Sequence, residues 1–280
     1  MSDLASSVAF IGGGNMASAL IGGLVDSAIA VSIRIAEPNE QRRQQLSRRF
    51  ATTVVIADNA AAVRSAQTVI LATKPDTLPV VCHELRAAGL TASRGFVSVA
   101  AGVSLARLRG WLGPTAGLIR AMPNQPATVK RGLCTFVGDA SNERDWCEHV
   151  TKLFAATGST LWLRDESLMN ASTAVSGSGP AYFFRFMEVL EDYARNAGFS
   201  AEDARHLSVA TAAGAAELAS STTTALRDLR AAVTSPGGTT AAALRVLDDA
   251  DFHAIFSQAI DAAVQRGIEL DTEVTDHPND

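Results

Sequence analysis

The chain's 280 residues suit one large domain or two modest ones. With 47% hydrophobic and 19% charged residues it has the material for a sizeable core, which excludes a disordered polypeptide. A formal net charge of -5 with no basic stripe excludes nucleic acid as a partner, and no apolar run reaches the ~18 residues of a membrane span.

The cysteines, Cys82, Cys134 and Cys147, are odd in number and show no CxxC spacing. Neither a disulfide framework nor a zinc site is expected, and a reducing compartment is. Residues 1–8 carry no basic region of the secretory type. The expectation is a soluble cytoplasmic protein without a membrane partner.

Val8-Ala9-Phe10-Ile11 is a short apolar run that reads as a buried strand. It leads directly into Gly12-Gly13-Gly14-Asn15-Met16-Ala17 and then a helical pattern through Leu20, Ile21 and Leu24. This is G-x-G-x-x-A between strand and helix. Gly12 permits the tight turn, Gly14 lets the backbone approach a pyrophosphate, and Ala17 lets the helix pack close to the strand. The pattern predicts a Rossmann-type dinucleotide site. The missing Gly-Lys-Ser/Thr excludes a Walker phosphate loop. A second strand over 33–37 ends in Glu37, near where an acidic residue meets the adenosine ribose, which by itself favours NAD. Arg42 and Arg43 follow, as holders of a 2′-phosphate or as solvated residues of a surface helix. Cofactor preference stays open between these readings.

Strands and helices keep alternating. Strands are expected over 53–56, 68–72, 96–100, 117–122, 132–138 and 159–163, with helices beginning near Asp58 or Asn59 and over 142–155. Continuous apolar strands with helices between them predict a parallel sheet covered on both faces, with ligands at the carboxyl ends of its strands. Asn59, Lys74, Ala101 and Gly102 lie at such ends, as cofactor contacts or as plain cap and turn residues. The loop Arg120-Ala121-Met122-Pro123-Asn124-Gln125-Pro126 is placed for the nicotinamide end.

Beyond Leu163 the strand signal stops. A helix over 165–175 is expected to be broken by Ser176-Gly177-Ser178-Gly179-Pro180. A long helix then runs to about Ala197 and stops at Gly198. Ser200 with Asp203 resembles a capping box for the next helix. Further helices are read over 226–233, 239–247 and 252–269, with a polar, frayed tail from Asp271. The architecture is therefore an α/β dinucleotide-binding domain, 1–163, followed by an all-α domain, 164–280, for substrate binding and dimerisation. Val209-Ala210-Thr211-Ala212-Ala213-Gly214-Ala215-Ala216 has little polar face, which points to a subunit interface.

The five histidines, His83, His149, His206, His253 and His277, stand outside every Gly-rich motif. No Ser-His-Asp order or HExxH is present. The second half instead offers hydroxyl-rich glycine loops at 176–180 and 235–240. Ser235-Pro236-Gly237-Gly238-Thr239-Thr240 opens a helix, and a helix N-terminus seats an anion such as a small carboxylate. The plain alternative is Ser235 or Thr239 as an N-cap. Oxidising an alcohol calls for a base such as His or Lys. Reducing an imine asks less, because a protonated imine is already electrophilic and a threonine can orient or relay a proton.

Taken together, these motifs resemble the Δ1-pyrroline-5-carboxylate reductase family over nearly the whole chain. The resemblance rests on Phe10 to Ala17, Lys74-Pro75, Ala100-Ala101-Gly102-Val103, Arg120 to Asn124, Val175-Ser176-Gly177-Ser178-Gly179-Pro180-Ala181-Tyr182 and Val233-Thr234-Ser235-Pro236-Gly237-Gly238-Thr239-Thr240. It implies reduction of a cyclic imine to L-proline, with NADPH as cofactor and NADH as the alternative. Cofactor contacts are then implied at Gly12, Gly14, Asn15, Met16, Ala17, Glu37, Asn59, Ala72, Lys74, Pro75, Ala101, Gly102, Pro123 and Asn124. Substrate contacts are implied at Ser176, Gly177, Ser178, Val233, Gly237, Gly238, Thr239 and Thr240. Gly238 and Thr239 receive the carboxylate, and Thr240, the implied catalytic residue, faces the imine nitrogen. The family also forms intertwined homodimers, often five of them in a decamer. Where the family often has a His-Pro-Gly turn, this chain has Thr222-Thr223-Thr224-Ala225. The rival readings are a 3-hydroxyacid-type dehydrogenase, opposed by the lack of lysine over 177–185, and a non-catalytic nicotinamide-cofactor-binding protein.

Overall fold

The computed structural model describes residues 6–27, 29–139 and 142–274. Residues 1–5 of the N-terminal segment, His277 and the tail beyond Val274 lie outside them. The chain forms two compact units, Met1–Ser178 with Ala263–Asp280, and Gly179–Ala262. Residues 164–178 and the end of the last helix thus belong to the same compact unit as the sheet.

The first unit holds strands β1 (Ser6–Ile11), β2 (Val31–Ala36), β3 (Val54–Ile56), β4 (Thr68–Leu71), β5 (Gly95–Ser98), β6 (Gly117–Met122), β7 (Gly132–Gly138) and β8 (Gly158–Trp162). Between them run α1 (Asn15–Val25), α2 (Glu40–Arg49), α3 (Asn59–Val63), α4 (Leu78–Ala87), α5 (Leu105–Leu112) and α6 (Arg144–Ala155). The sheet order is β3-β2-β1-β4-β5-β6-β7-β8. Its first six strands are parallel in the doubly wound order of dinucleotide-binding folds. Beyond them β7 runs antiparallel to β6. Residues 123–131 between them hold only a 3₁₀ turn, and a parallel crossover needs a dozen residues or more.

Alternation along the strands divides the core between the two faces. Ala9, Ile11, Val69, Leu71, Phe96 and Leu118 pack with α3, α4 and α5. Val8, Phe10, Ile70, Val97, Ile119 and Ala121 pack with α1, α2 and α6.

After β8 comes α7 (Met169–Ser172). Helical structure reaches further into the break expected at 176–180 than the glycines suggest: a π turn, Thr173–Gly177, closed by Ser178 N–H to Thr173 O at 2.9 Å, ends at Ser178, and the next helix begins at Gly179.

The second unit begins with α8 (Gly179–Asn196) and continues with α9 (Ala201–Ser220), α10 (Leu226–Ala232), α11 (Thr239–Asp249) and the first half of α12 (Phe252–Glu273). Ser200 caps α9, taking the Asp203 N–H at 3.0 Å and donating to the Asp203 carboxylate. Tyr182 and Phe186 of α8 pack on Phe252 and Phe256 of α12. Within this unit only Gly179, Ala194, Ala204 and Ser208 are buried. The C-terminal half of α12 belongs to the first unit and runs past the expected fraying point: Asp271 accepts from Ser104 N–H at 2.9 Å, and Val274 is buried.

Candidate active site

The glycine turn after β1 is shaped by its surroundings. Gly12 has φ +96°, and a Cβ there would sit 2.7 Å from the Ala72 carbonyl oxygen, so only glycine fits. A Cβ on Gly13 would strike Leu46 of α2 at 2.3 Å. Gly14 differs, because a Cβ there meets nothing within 4 Å. It is the N-cap of α1, which has neither a side-chain cap nor an acidic residue in its first turn. Unpaired first-turn amides therefore lie beside open space, as an anion requires. Asn15 is exposed, Met16 is half-buried and Ala17 is fully buried against the sheet.

Glu37 follows β2 and reaches across to this turn. Its Oε2 accepts the Gly13 N–H at 3.0 Å, and its Oε1 accepts the Asn39 N–H at 2.9 Å. Arg42 Nε donates to the Gly13 carbonyl at 2.8 Å and its Nη2 to Ser18 Oγ at 3.0 Å. Arg43 Nη1 donates to the carbonyls of Glu37 and Pro38 at 2.9 and 2.7 Å. Neither arginine is simply solvated.

At the end of β4, Ala72 is half-buried and Lys74 is exposed, at the head of the 3₁₀ turn Pro75–Thr77. Between them Thr73 was not singled out from sequence. Its Oγ1 is buried without a hydrogen-bond partner, and its Cγ2 would lie 3.2 Å from a Cβ on Gly12. Asn59 donates to Glu84 at 3.0 Å. Ala101 is half-buried. A Cβ on Gly102 would come within 2.6 Å of Leu270 Cβ, so this glycine makes room for α12.

Two motifs distant in sequence meet beyond β6. Buried Asn124 donates to the Ser176 carbonyl at 3.0 Å and accepts the Leu133 N–H at 2.9 Å, so both ends of its amide serve the fold. Pro123 is buried beside it, and Met122 Cε would lie 2.7 Å from a Cβ on Gly177. Ser176 Oγ donates to the Ser172 carbonyl, and Ser176, Gly177 and Ser178 are half-buried. Buried Arg120 pairs with Glu166 at 2.8 Å, and Glu166 also accepts the Leu105 N–H that opens α5. Sequence gave no signal for Glu166, which stands 46 residues from its partner.

In the second unit, α10 ends at exposed Val233. Ser235-Pro236-Gly237-Gly238 then forms a turn closed by Gly238 N–H to the Ser235 carbonyl at 3.0 Å. Proline stands second and Gly237, at φ +70°, third, the residue choice of a type II turn. Gly238, rather than Ser235 or Thr239, is the N-cap of α11, and no side chain caps that helix. Thr239 is exposed and Thr240 half-buried in its first turn. Thr222 and Thr224, in place of a His-Pro-Gly turn, bond to each other through their hydroxyls at 2.9 Å.

The remaining titratable groups stand apart from these loops. Burial pushes the Cys82 thiol up to about 12 and lowers His149 on α6. Among the described residues, no three His, Cys, Asp or Glu side chains are grouped to hold a metal ion. A nicotinamide dinucleotide fits the first unit: the Gly14 backbone is open where a pyrophosphate approaches, the α1 amides are uncapped, and Thr73 Oγ1 is orphaned beside Gly12.

Fold and site together define an oxidoreductase of the nicotinamide-dinucleotide class. Residues 7–102 match the model of NADP oxidoreductases, coenzyme F420-dependent, and residues 166–270 match that of pyrroline-5-carboxylate reductase dimerisation. The chain is 42% identical to the pyrroline-5-carboxylate reductase of Pseudomonas aeruginosa, over 94% of this chain and 96% of that one. It is 36% identical to the Pasteurella multocida reductase, over 95% and 98%. The solved pyrroline-5-carboxylate reductase of Coxiella burnetii superposes with a TM-score of 0.88 at 33% identity, covering 95% of this chain and 98% of that one. The chain belongs to the pyrroline-5-carboxylate reductase family.

Proposed function

We propose that this chain reduces Δ1-pyrroline-5-carboxylate to L-proline, the last step of proline biosynthesis. The observation that carries the substrate side is the N-terminus of α11, uncapped behind a turn that only a Pro-Gly pair makes readily. The amides of Gly238, Thr239 and Thr240 take the substrate carboxylate, with Val233 and Gly237 shaping the loop. The family resemblance supports Ser176, Gly177 and Ser178 as further substrate contacts. Thr240 directs its hydroxyl to the imine nitrogen and orients the protonated C=NH⁺ group, which hydride addition at carbon converts to CH–NH.

When bound, NADPH or NADH supplies the hydride that the imine carbon receives. Gly12, Gly14, Asn15, Met16 and Ala17 hold its pyrophosphate. Glu37 and Asn59 lie toward its adenosine end. Ala72, Lys74, Pro75, Ala101, Pro123 and Asn124 line the carboxyl ends of the strands. The absence of a histidine base from these loops suits a reaction whose electrophile is already a protonated imine.

The family's dimerisation segment and the nearly coreless second unit support a homodimer, with five dimers in a decamer as the larger assembly. No helix among the described residues is long and apolar enough to cross a membrane, and the proposed compartment is the cytoplasm. The test is loss of nicotinamide absorbance from NADPH and from NADH with pyrroline-5-carboxylate, with proline identified as product. Turnover supports the reading. Cofactor binding without turnover overturns it in favour of another imine or a sensor.

A further inference from the structure

We propose that Glu37 sets the choice of dinucleotide, admitting the free ribose of NADH and excluding the 2′-phosphate of NADPH. This rests on reading the first unit as the dinucleotide site. The resemblance alone leads toward NADPH, and the geometry at the end of β2 opposes it.

In this fold the adenosine ribose lies at the end of β2, next to the glycine turn. The half-buried Glu37 carboxylate stands there, 3.0 Å from the Gly13 N–H. Its other oxygen takes the Asn39 N–H. Both donors are neutral backbone groups, and no ion pair among the described residues compensates the carboxylate. A ribose diol can donate further hydrogen bonds to such an acceptor, whereas a phosphate brings only like charge and more acceptors.

The two arginines that could offset that repulsion both bond to groups of the protein, Arg42 through three nitrogens and Arg43 through Nη1 alone. Arg42 spends all three guanidinium nitrogens, on the Gly13 carbonyl, Ser18 Oγ and Gln45 Oε1. Its effect is to brace the glycine turn from below the helix. Arg43 holds two backbone carbonyls of the β2–α2 turn. It lines, with Glu40, Gln44, Ser47, Arg48 and Val55, an open cavity of about 410 Å³ on the side of α2 that meets β3. Glu37 is thus a specificity residue as well as a strut, and the two roles separate on substitution. Glu37→Gln keeps the length of the side chain and an oxygen for Gly13 but removes the charge and the acceptor for the Asn39 N–H.

The experiment is a fluorescence titration of the purified protein with NADH and with NADPH, without imine substrate. NADH is expected to bind at least ten-fold tighter to the unaltered protein. Glu37→Gln is expected to move the ratio of the two dissociation constants at least ten-fold toward NADPH. Tighter NADPH binding by the unaltered protein overturns the proposal, with no variant needed. So does a Glu37→Gln protein that weakens both cofactors equally, because a purely structural strut behaves that way. Failure of the unaltered protein to bind either dinucleotide overturns instead the reading of the site on which the proposal rests.

Discussion

Neighbouring glycines in the β1–α1 turn serve different ends, and substitution separates them. Gly12 is required by the fold, since its Cβ would press on the Ala72 carbonyl in a backbone region that other residues avoid. Gly12→Ala should therefore cost ~2 kcal/mol or more, read as a lower urea midpoint without any ligand. Gly14 is required by the ligand, since the space over it is empty. Gly14→Val should leave the urea midpoint close to that of the unaltered protein and raise the dissociation constant for either dinucleotide at least ten-fold. Normal cofactor binding in that variant would refute the assignment of the turn. Thr240 is argued on the same scale. Its hydroxyl acts at the protonated imine and not on the dinucleotide, so Thr240→Ala should lower kcat by ~10²-fold while the KM for cofactor changes little. An unchanged kcat would remove Thr240 from the mechanism.

Elements whose signal is local were legible in the sequence. β6 and β7 begin and end where their apolar runs do, and Ser200 with Asp203 announces the start of α9 through a bond between the two residues themselves. What escaped depends on partners elsewhere. Glycines and a proline at 176–180 look like an open loop, yet a π turn runs as far as Gly177, which is fitted against Met122 of β6. Gly102 also seats Leu270, a contact no local pattern announces. At the site, the glycine turn and the Pro236–Gly237 turn were legible because backbone geometry demands those residues. The Glu37 strut, the Thr73 hydroxyl and the Asn124 bridge were not, since each needs a known spatial neighbour. The N-terminus of α5 makes the same point and gives a test. Carboxylates from Glu166 and Asp271 accept its first amides, and Glu166 also neutralises Arg120, whose side chain is 7% exposed. Glu166→Ala strands that guanidinium and should cost about 3 kcal/mol in chemical denaturation. Glu166→Gln, which keeps an acceptor for both donors, should lose clearly less, and equal losses would show that the ion pair contributes nothing beyond packing.

The whole molecule has one unit with two packed cores and another with almost no interior. Four buried residues among 179–262 cannot hold five helical segments together by hydrophobic burial alone. On α8, Phe183 is 64% exposed and Tyr193 76%, and Phe186 and Leu190 fall between them at helical spacing on one stripe. A patch of this kind marks a surface that another protein covers. The stripe lies inside the segment that matches the family's dimerisation model, so the cover expected here is a second copy of the chain. Each large apolar side chain buried there contributes roughly 1.5–3 kcal/mol, and a carboxylate in its place removes that and adds a desolvation cost. Light scattering on the unaltered protein at micromolar concentration should give at least twice the mass of one chain. Phe183→Asp or Leu190→Asp should lower that mass toward one chain while the first unit still binds dinucleotide, because its residues lie in a separately cored unit. A monomer in the unaltered protein would contradict the assembly outright. A dimer that survives both substitutions would move the interface off α8 and leave its aromatic stripe to another partner.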